Sequence, residues 1–372
     1  MPSSQVNSAL AHHGILDKSY PLEARIRDEQ VKVRIGTPTM MNLPAVGVSA
    51  IRITMPYAAG ALGGTLSERG GVVNIALEGI MLGSAFAYAT GSWWMARYLG
   101  ASDAATVAVV APLFGLGLAI LTGFALSLLH AIACVTFKAD NIISGLAINI
   151  LSLGATNFLL KRIFGSASNS EQCPSFRSWQ VLAPDSAWAV LNPLFHPLIL
   201  LTLLAFVGAW FLLYRTRFGL RLRAVGENPA AADSLGVSVA FYRYCGVLLG
   251  GVAASLGGVW LASDQGLFSS GMTNGRGYTA LAAMILGKWT PGGAAAACLI
   301  FGTAEAFQNQ LQVLHQGSSA QATGWLAQLA SGIPTQAIQA LPYVLTILVL
   351  AGFVGRATPP AADGVPYEKE SE

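Results

Sequence analysis

The chain has 372 residues, of which only 10% are charged and 53% are apolar, and its formal net charge is +3. Soluble domains carry about 25% charged residues, so this composition excludes an ordinary soluble protein. The basic residues cluster near the ends of apolar segments, which indicates membrane orientation and not nucleic-acid binding. Because several apolar segments exceed about 18 residues, we predict an all-α, polytopic transmembrane helical bundle.

The two ends of the chain differ from its apolar centre. Residues 1–43 are polar and mixed in charge, and we expect an exposed, partly disordered extension. Residues 44–356 should form the membrane domain, and residues 357–372 a polar C-terminal tail. The N-terminus lacks the basic and apolar pattern of a signal peptide.

The apolar segments predict eight to ten membrane segments, some of them broken or re-entrant. Arg52 and Pro56 should interrupt the first, and a glycine-containing turn at residues 67–71 should end it. The stretch 278–286 is too short to cross a bilayer alone, which predicts a broken helix beside a cavity. The longer segments are expected at residues 44–66, 72–95, 106–137, 141–160, 198–214, 244–262, from 293 onwards, and at 336–355.

One polar segment, residues 220–236, interrupts the apolar centre of the chain. Four arginines, at positions 215, 217, 221 and 223, place the loop 215–238 in the cytoplasm by the positive-inside rule. Asn228 can cap a helix and Pro229 fits its first position, while Gly236 is a natural stop. We therefore predict a short cytoplasmic helix that docks against a partner surface.

The orientation of this loop constrains the start of the chain. Two complete crossings before residue 106 would place residues 1–43 outside the membrane, although they carry five lysines and arginines. The alternative is that one early segment does not fully cross.

Asn74 and Glu78 are polar residues within the second apolar segment, and their spacing of four predicts one shared helix face. A carboxylate in the bilayer centre costs at least about 2.5–3.5 kcal/mol, so it normally faces a cavity or the bundle interior. Two interpretations stand: Glu78 lines a polar path, or it lies shallow and pairs with Arg69 or Arg52.

The fourth segment carries a stripe of small and polar residues, Gly145, Asn149, Ser152 and Thr156, at helical spacing. Hydrogen bonds between helices, at about 0.6 kcal/mol each, would explain the serine and the threonine. Asn149 has more hydrogen-bonding positions to satisfy, and we assign it to the lining of a polar path.

The sequence offers no catalytic or metal-binding pattern. It contains no G-x-x-x-x-G-K-[ST], no H-E-x-x-H and no G-x-S-x-G, and its four cysteines have no metal or disulfide spacing. His130 stands without a second ligand and is interpreted as structural. We expect no catalytic residue, no metal and no cofactor in this chain.

Four sequence blocks resemble the membrane subunits of binding-protein-dependent ABC importers, in the branch for ribose-type sugars and nucleosides. They are LSERGGVVNIALEG (Leu66–Gly79), IISGLAIN (Ile142–Asn149), TRFGLRLRAVGENPAAA (Thr216–Ala232) and GRGYTALAAMILGKW (Gly275–Trp289). The first and third blocks are most similar to those of nucleoside-type members.

The resemblance implies a multi-pass permease that lies in the bilayer of the inner membrane and works with three kinds of partner. They are a cytoplasmic ABC ATPase that binds ATP and Mg²⁺, a second permease subunit that is a paralogue or an identical copy, and an extracytoplasmic substrate-binding protein. It also implies path-lining roles for Asn74, Glu78 and Asn149. Residues of the ATPase-coupling loop are then Gly226, Glu227, Asn228, Pro229, Ala232 and Gly236.

Other functions remain open at this stage. The solute is expected to be a nucleoside, with ribose-type sugars or branched-chain amino acids as alternatives. A different class, an ion-coupled secondary transporter, would use the carboxylates of Glu78 and Glu305. A membrane enzyme would need a nucleophile, paired acids or metal ligands near one interface, and the sequence offers no convincing set.

Overall fold

The computed structural model describes part of the chain and divides it into two units. A unit formed by Met1–Met41 and Leu314–Gly332 falls almost entirely outside the described residues, and the helical bundle belongs to the other unit, Asn42–Val313 with Ile333–Glu372. The N-terminal extension and most of the last predicted segment, 336–355, therefore lie outside the described residues. Those residues are 43–100, 103–176, 181–183, 188–317, 357–368 and the single positions 334, 336, 337, 340 and 344.

The described residues form helices and no strand, which confirms the all-α prediction. The α-helix Ala104–Ala131 continues into a π-helical turn, Ile132–Thr136, and a 3₁₀ helix covers Ala189–Phe195. The α-helices are α1 (Leu43–Glu68), α2 (Leu77–Leu99), α3 (Ala104–Ala131), α4 (Asn141–Phe164), α5 (Pro197–Arg215), α6 (Arg217–Glu227), α7 (Pro229–Ser234), α8 (Val239–Gln265), α9 (Arg276–Leu286) and α10 (Pro291–Gly317).

Four of these helical segments are long and apolar enough to cross a membrane. They are Ala104–Thr136, Asn141–Phe164, Pro197–Arg215 and Val239–Gln265. In α8, 78% of the most apolar stretch is buried within the protein, against 22% in α3 and α4. The central helix of the bundle is therefore α8, while α3 and α4 present apolar side chains outward, as a bilayer requires.

Helix α1 is continuous through Arg52 and Pro56, so the predicted interruption is wrong. Pro56 removes one backbone donor, which membrane helices tolerate where neighbouring helices pack closely. Arg52 lies near the outer end of the helix and forms an ion pair with Asp264. The other end of the helix, at Glu68, lies beside α6, because the carbonyl oxygen of the next residue, Arg69, is in contact with Gly226. If residues 215–238 are cytoplasmic, as their arginines predict, α1 begins on the outer side of the membrane.

The second helix starts five residues later than predicted, at Leu77, and residues 72–76 are not helical. Side chains bind the carbonyl groups of this segment. Ser67 Oγ donates to Val72 O at 2.9 Å, His130 Nε2 lies 3.0 Å from Val73 O, and Asn149 Nδ2 donates to Ile75 O at 3.0 Å. These bonds replace those of a helical turn, so Asn74 and Glu78 do not share a helix face.

Glycines bring the helices around α8 into close contact. Helices α1 and α8 are antiparallel, and a methyl group added at Gly250 would lie 2.5 Å from the carbonyl oxygen of Gly63. A methyl group at Gly258 would overlap the Met81 carbonyl oxygen on α2. Close approach of this kind is a main source of helix association in lipid, where burial of apolar surface adds little.

We expect Gly258→Ala to lower the melting temperature of the detergent-solubilised protein by several degrees. Overfilling a closely packed site costs about 1–3 kcal/mol. The matched control is Gly117→Ala on α3, where no atom lies within 4 Å of the added methyl group. Alanine favours helix more than glycine does, so the control should be unchanged or slightly more stable. Equal melting temperatures for the two variants would contradict the close packing of α8 against α2.

Candidate functional site

The loop 215–238, which is predicted to be cytoplasmic, folds into two short helices, α6 and α7. Thr216 Oγ1 accepts from the Gly219 N–H at 3.1 Å at the start of α6, and Asn228 Oδ1 accepts from the Ala231 N–H at 3.0 Å at the start of α7. Pro229 occupies the first position of α7, and Gly236, with φ +77°, follows its end. The predicted helix is confirmed, with the cap and the stop that its sequence indicates.

The sequence interpretation missed α6, because it predicted one helix in this loop and the structure has two. Its signal is the helical spacing of Phe218, Leu222 and Val225, and the last two are fully buried. On the opposite side, Leu220 is 62% exposed, and Leu235, just after α7, is 84% exposed. These two residues are large, exposed apolar side chains on an otherwise polar loop.

The end of α6 lies directly against the turn between α1 and α2. A methyl group at Gly226 would overlap the carbonyl oxygen of Arg69, and one at Gly71 would lie 3.3 Å from the Gly226 Cα. Gly71 has φ +83°, a conformation that favours glycine. A displacement of α6 toward this turn would therefore press on it.

Asn149 holds three segments together at the start of α2. Its Oδ1 accepts from the Gly79 N–H at 2.7 Å, and its Nδ2 donates to Ile75 O and to the Tyr278 hydroxyl, each at 3.0 Å. The amide thus caps α2 from another helix and ties it to α9. Ser152 and Thr156 are also buried on this face of α4, in agreement with the predicted stripe.

Glu78 caps α9, since its carboxylate accepts from the Gly275 N–H at 2.8 Å and from the Gly277 N–H at 2.6 Å. A carboxylate at a helix N-terminus is stabilised by the free N–H groups and by the helix dipole. The suggested pairing with Arg69 or Arg52 is therefore wrong. Arg69 donates instead to Trp289 O and Lys288 O, at 2.7 and 3.2 Å.

Asn74 differs from Glu78 and Asn149 because its side-chain amide has no polar partner among the described residues. Its side chain is fully buried, and neither amide atom has a hydrogen bond within the part of the chain that the structure describes. Buried amides normally satisfy these groups. Asn74 is thus the residue of the three with free hydrogen-bonding capacity, and the path-lining role of all three stays a prediction.

A polar cavity of about 280 Å³ opens at the end of the bundle opposite to α6 and α7, where α1, α8 and α9 meet. It contains the Arg52–Asp264 ion pair and Arg276, whose Nη2 lies 3.0 Å from Glu305 Oε1. The sequence contains each of these charged residues, but it gives no indication of which ones form ion pairs. The lining residues are Ser49, Arg52, Ile53, Pro56, Trp260, Leu261, Asp264, Gln265 and Arg276.

Residues 357–368 of the C-terminal tail pack against the end of the bundle that carries α6 and α7. The Ala362 N–H donates to Gly226 O at 2.9 Å, and the Gly364 N–H donates to Gly71 O at 3.2 Å. Burial first, and then the negative charge of Glu68, raise the pKa of Asp363 well above its ordinary value, against the attraction of Arg243. Two neighbouring carboxyls that are withdrawn from water hold a proton more readily than an exposed one.

The known proteins to which this chain is similar are transport permeases. The profile of a family described as "Branched-chain amino acid transport system / permease component" matches residues 48–350. The guanosine ABC transporter permease protein NupQ of Bacillus subtilis is 41% identical over 85% of this chain and 95% of its own length. The nucleoside ABC transporter permease protein NupC of Lactococcus lactis is 38% identical over 88% and 98%. A second guanosine permease of B. subtilis, NupP, is 27% identical over 68% and 70%.

We expect Asn149→Ala to destabilise the protein strongly, because it leaves the Gly79 N–H and Ile75 O without their partner. Each buried polar group without a hydrogen bond costs about 1–3 kcal/mol. The control is Ser152→Ala on the same helix face, because Ser152 Oγ is buried and has no hydrogen bond among the described residues. Melting temperature in detergent is the measurement. A large loss for both variants, or for neither, would contradict the capping role of Asn149.

Proposed function

Since the chain belongs to the family of branched-chain amino acid transport system permease components, we propose that its solute is a nucleoside. The family makes it a multi-pass membrane permease subunit, and the open question is what it carries. The observation that supports a nucleoside is the similarity to NupQ and NupC over nearly their whole lengths, at 41% and 38% identity. Both of those proteins are named for nucleoside transport.

The energy source in this proposal is a separate cytoplasmic ATPase that binds ATP and Mg²⁺ and docks on α6 and α7. Exposed Leu220 and Leu235 supply apolar contact, and the surrounding arginines supply charge. The sequence itself has no P-loop to bind nucleotide. The coupling residues on this surface are Gly226, Glu227, Asn228, Pro229, Ala232 and Gly236, of which Gly226 and Ala232 are buried and act through backbone packing.

The second permease subunit is proposed to be a paralogue of this chain. B. subtilis has two guanosine permeases that resemble it to different degrees, NupQ at 41% and NupP at 27% identity. Two different permeases named for one solute favour a pair of unlike subunits. An extracytoplasmic binding protein would deliver the nucleoside to the outer cavity, where Trp260 offers an aromatic surface and Gln265 an amide.

Ion-coupled transport is a weaker proposal because both candidate carboxylates already hold the protein together. Glu78 accepts two backbone N–H groups of α9. Glu305 pairs with Arg276 and accepts from the Tyr57 hydroxyl. A carboxylate that binds and releases ions during each cycle would have to break these contacts each time.

A competition panel tests the solute. Guanosine, adenosine, uridine, ribose and leucine are each offered to the binding protein of the same transporter, and uptake is then measured in proteoliposomes with the ATPase present. We expect nucleosides to bind tightly and to be taken up only with ATP. Tight binding of ribose or leucine without any response to nucleosides would overturn the proposal. Uptake that survives without ATP but collapses with a protonophore would favour the ion-coupled class.

We expect Gly236→Arg to lower nucleoside uptake at least about fivefold while the affinity of the binding protein is unchanged. Gly236 has φ +77° and no atom within 4 Å of an added methyl group, so the variant alters the docking surface without a core clash. Gly165→Arg is the control, because Gly165 has φ +67° and equal space at the outer end of α4. Equal uptake by the two variants would remove the coupling role from this loop.

A further inference from the structure

The C-terminal strap, residues 357–368, joins two elements that face each other across the cytoplasmic end of the bundle. Its Ala362 N–H binds the carbonyl of Gly226, in the last turn of α6, and its Gly364 N–H binds the carbonyl of Gly71, in the turn between α1 and α2. The Ala361 N–H also donates to Glu227 Oε2 at 3.2 Å. The strap thus connects the helix that is to receive the ATPase with the turn that leads to residues 72–76.

The junction between the strap, α6 and the turn is closely packed at two glycines, Gly71 and Gly226. A methyl group at Gly226 would overlap the carbonyl oxygen of Arg69, and one at Gly71, where φ is +83°, would lie 3.2 Å from the Ala362 carbonyl oxygen. Within the described residues, the backbone hydrogen bonds that connect α6 to this turn run through the strap and not directly between the two. Van der Waals contact resists compression, whereas hydrogen bonds also resist separation.

Hydrogen bonds that involve side chains anchor the C-terminal end of the strap. Arg243 Nη1, from the start of α8, donates to Val365 O at 2.9 Å. The Tyr367 hydroxyl donates to Asp233 Oδ2 of α7 at 3.2 Å, and Lys138 Nζ lies 2.6 Å from Glu368 Oε1. Before these anchors in the chain, Asp363 is half-buried near Glu68, and Ala362 is buried. A solvated end of a chain would leave both residues exposed.

We propose that the strap is a positioning element that transmits the movement of α6 and α7 to residues 72–76. When the ATPase pulls or pushes the loop helices, the strap makes the turn follow in both directions. Residues 72–76 lie against Asn149, which also binds Tyr278 of α9, so the displacement reaches the buried polar contacts between α2, α4 and α9. This role rests on the proposed docking of an ATPase at α6 and α7.

Two truncations of the full transporter test the strap: removal of residues 357–372, and removal of 369–372 as the control. Each is assembled with the ATPase, the second permease and the binding protein in proteoliposomes. The readout is ATP hydrolysed per nucleoside transported. Without the strap we expect this ratio to rise at least about threefold, with ATPase binding within about twofold of the full chain. The control should match the full chain.

Point variants keep the test decisive if the longer truncation does not fold. Ala362→Pro removes the N–H that binds Gly226, and Thr358→Pro, at an exposed position outside these contacts, is its matched control. Tyr367→Phe removes the hydroxyl at Asp233. An unchanged ratio in Ala362→Pro and in the truncated protein would overturn the proposal, and so would loss of ATPase binding, which would make the strap a docking surface. Failure of the full chain to transport nucleosides or to bind the ATPase would instead contradict the proposed function.

Discussion

The rest of the structure depends on how residues 72–76 satisfy their backbone within a membrane bundle. A non-helical backbone in that environment leaves carbonyl groups that lipid cannot bind. Ser67, His130 and Asn149 bind three of these carbonyls from three separate helices. These three hydrogen bonds therefore fix the positions of the side chains and of residues 72–76 relative to one another. The positions of α1, α3 and α4 around α2 follow from this single set of hydrogen bonds.

This constraint gives a physical meaning to the polar residues of the apolar segments. Asn149 and Glu78 cap α2 and α9 respectively, and their donors and acceptors are used by the protein. A path-lining role for either one would require its cap to be shared with a solute or exchanged for it. The Asn74 amide makes no hydrogen bond among the described residues, so it has no cap to give up. If a conformational change exposed residues 72–76, the Asn74 amide could bind a solute without the loss of a hydrogen bond within the protein, unlike Asn149 and Glu78.

The parts of the fold that the sequence predicted are those with local signals. The cap at Asn228, the first-turn proline and the glycine stop all act within a few residues, so α7 was predicted with its bounds nearly correct. The start of α2 was not, because the side chains that unwind residues 72–76 include His130 and Asn149, which are distant in the sequence. The pairing of Arg52 with Asp264 is also non-local, since 212 positions separate the two residues.

The tail shows why composition alone misjudges such segments. Residues 357–368 are polar and rich in proline, which is typical of a solvated end. Their contacts are made mainly by backbone N–H groups, at Ala362 and Gly364, and backbone donors leave no mark in the sequence. The carbonyls that receive them belong to Gly226 and Gly71, which the sequence assigned to the coupling loop and to the turn after the first segment. Where helices meet through glycine, the exposed backbone becomes the binding surface, and any nearby chain that can present N–H groups in register can use it.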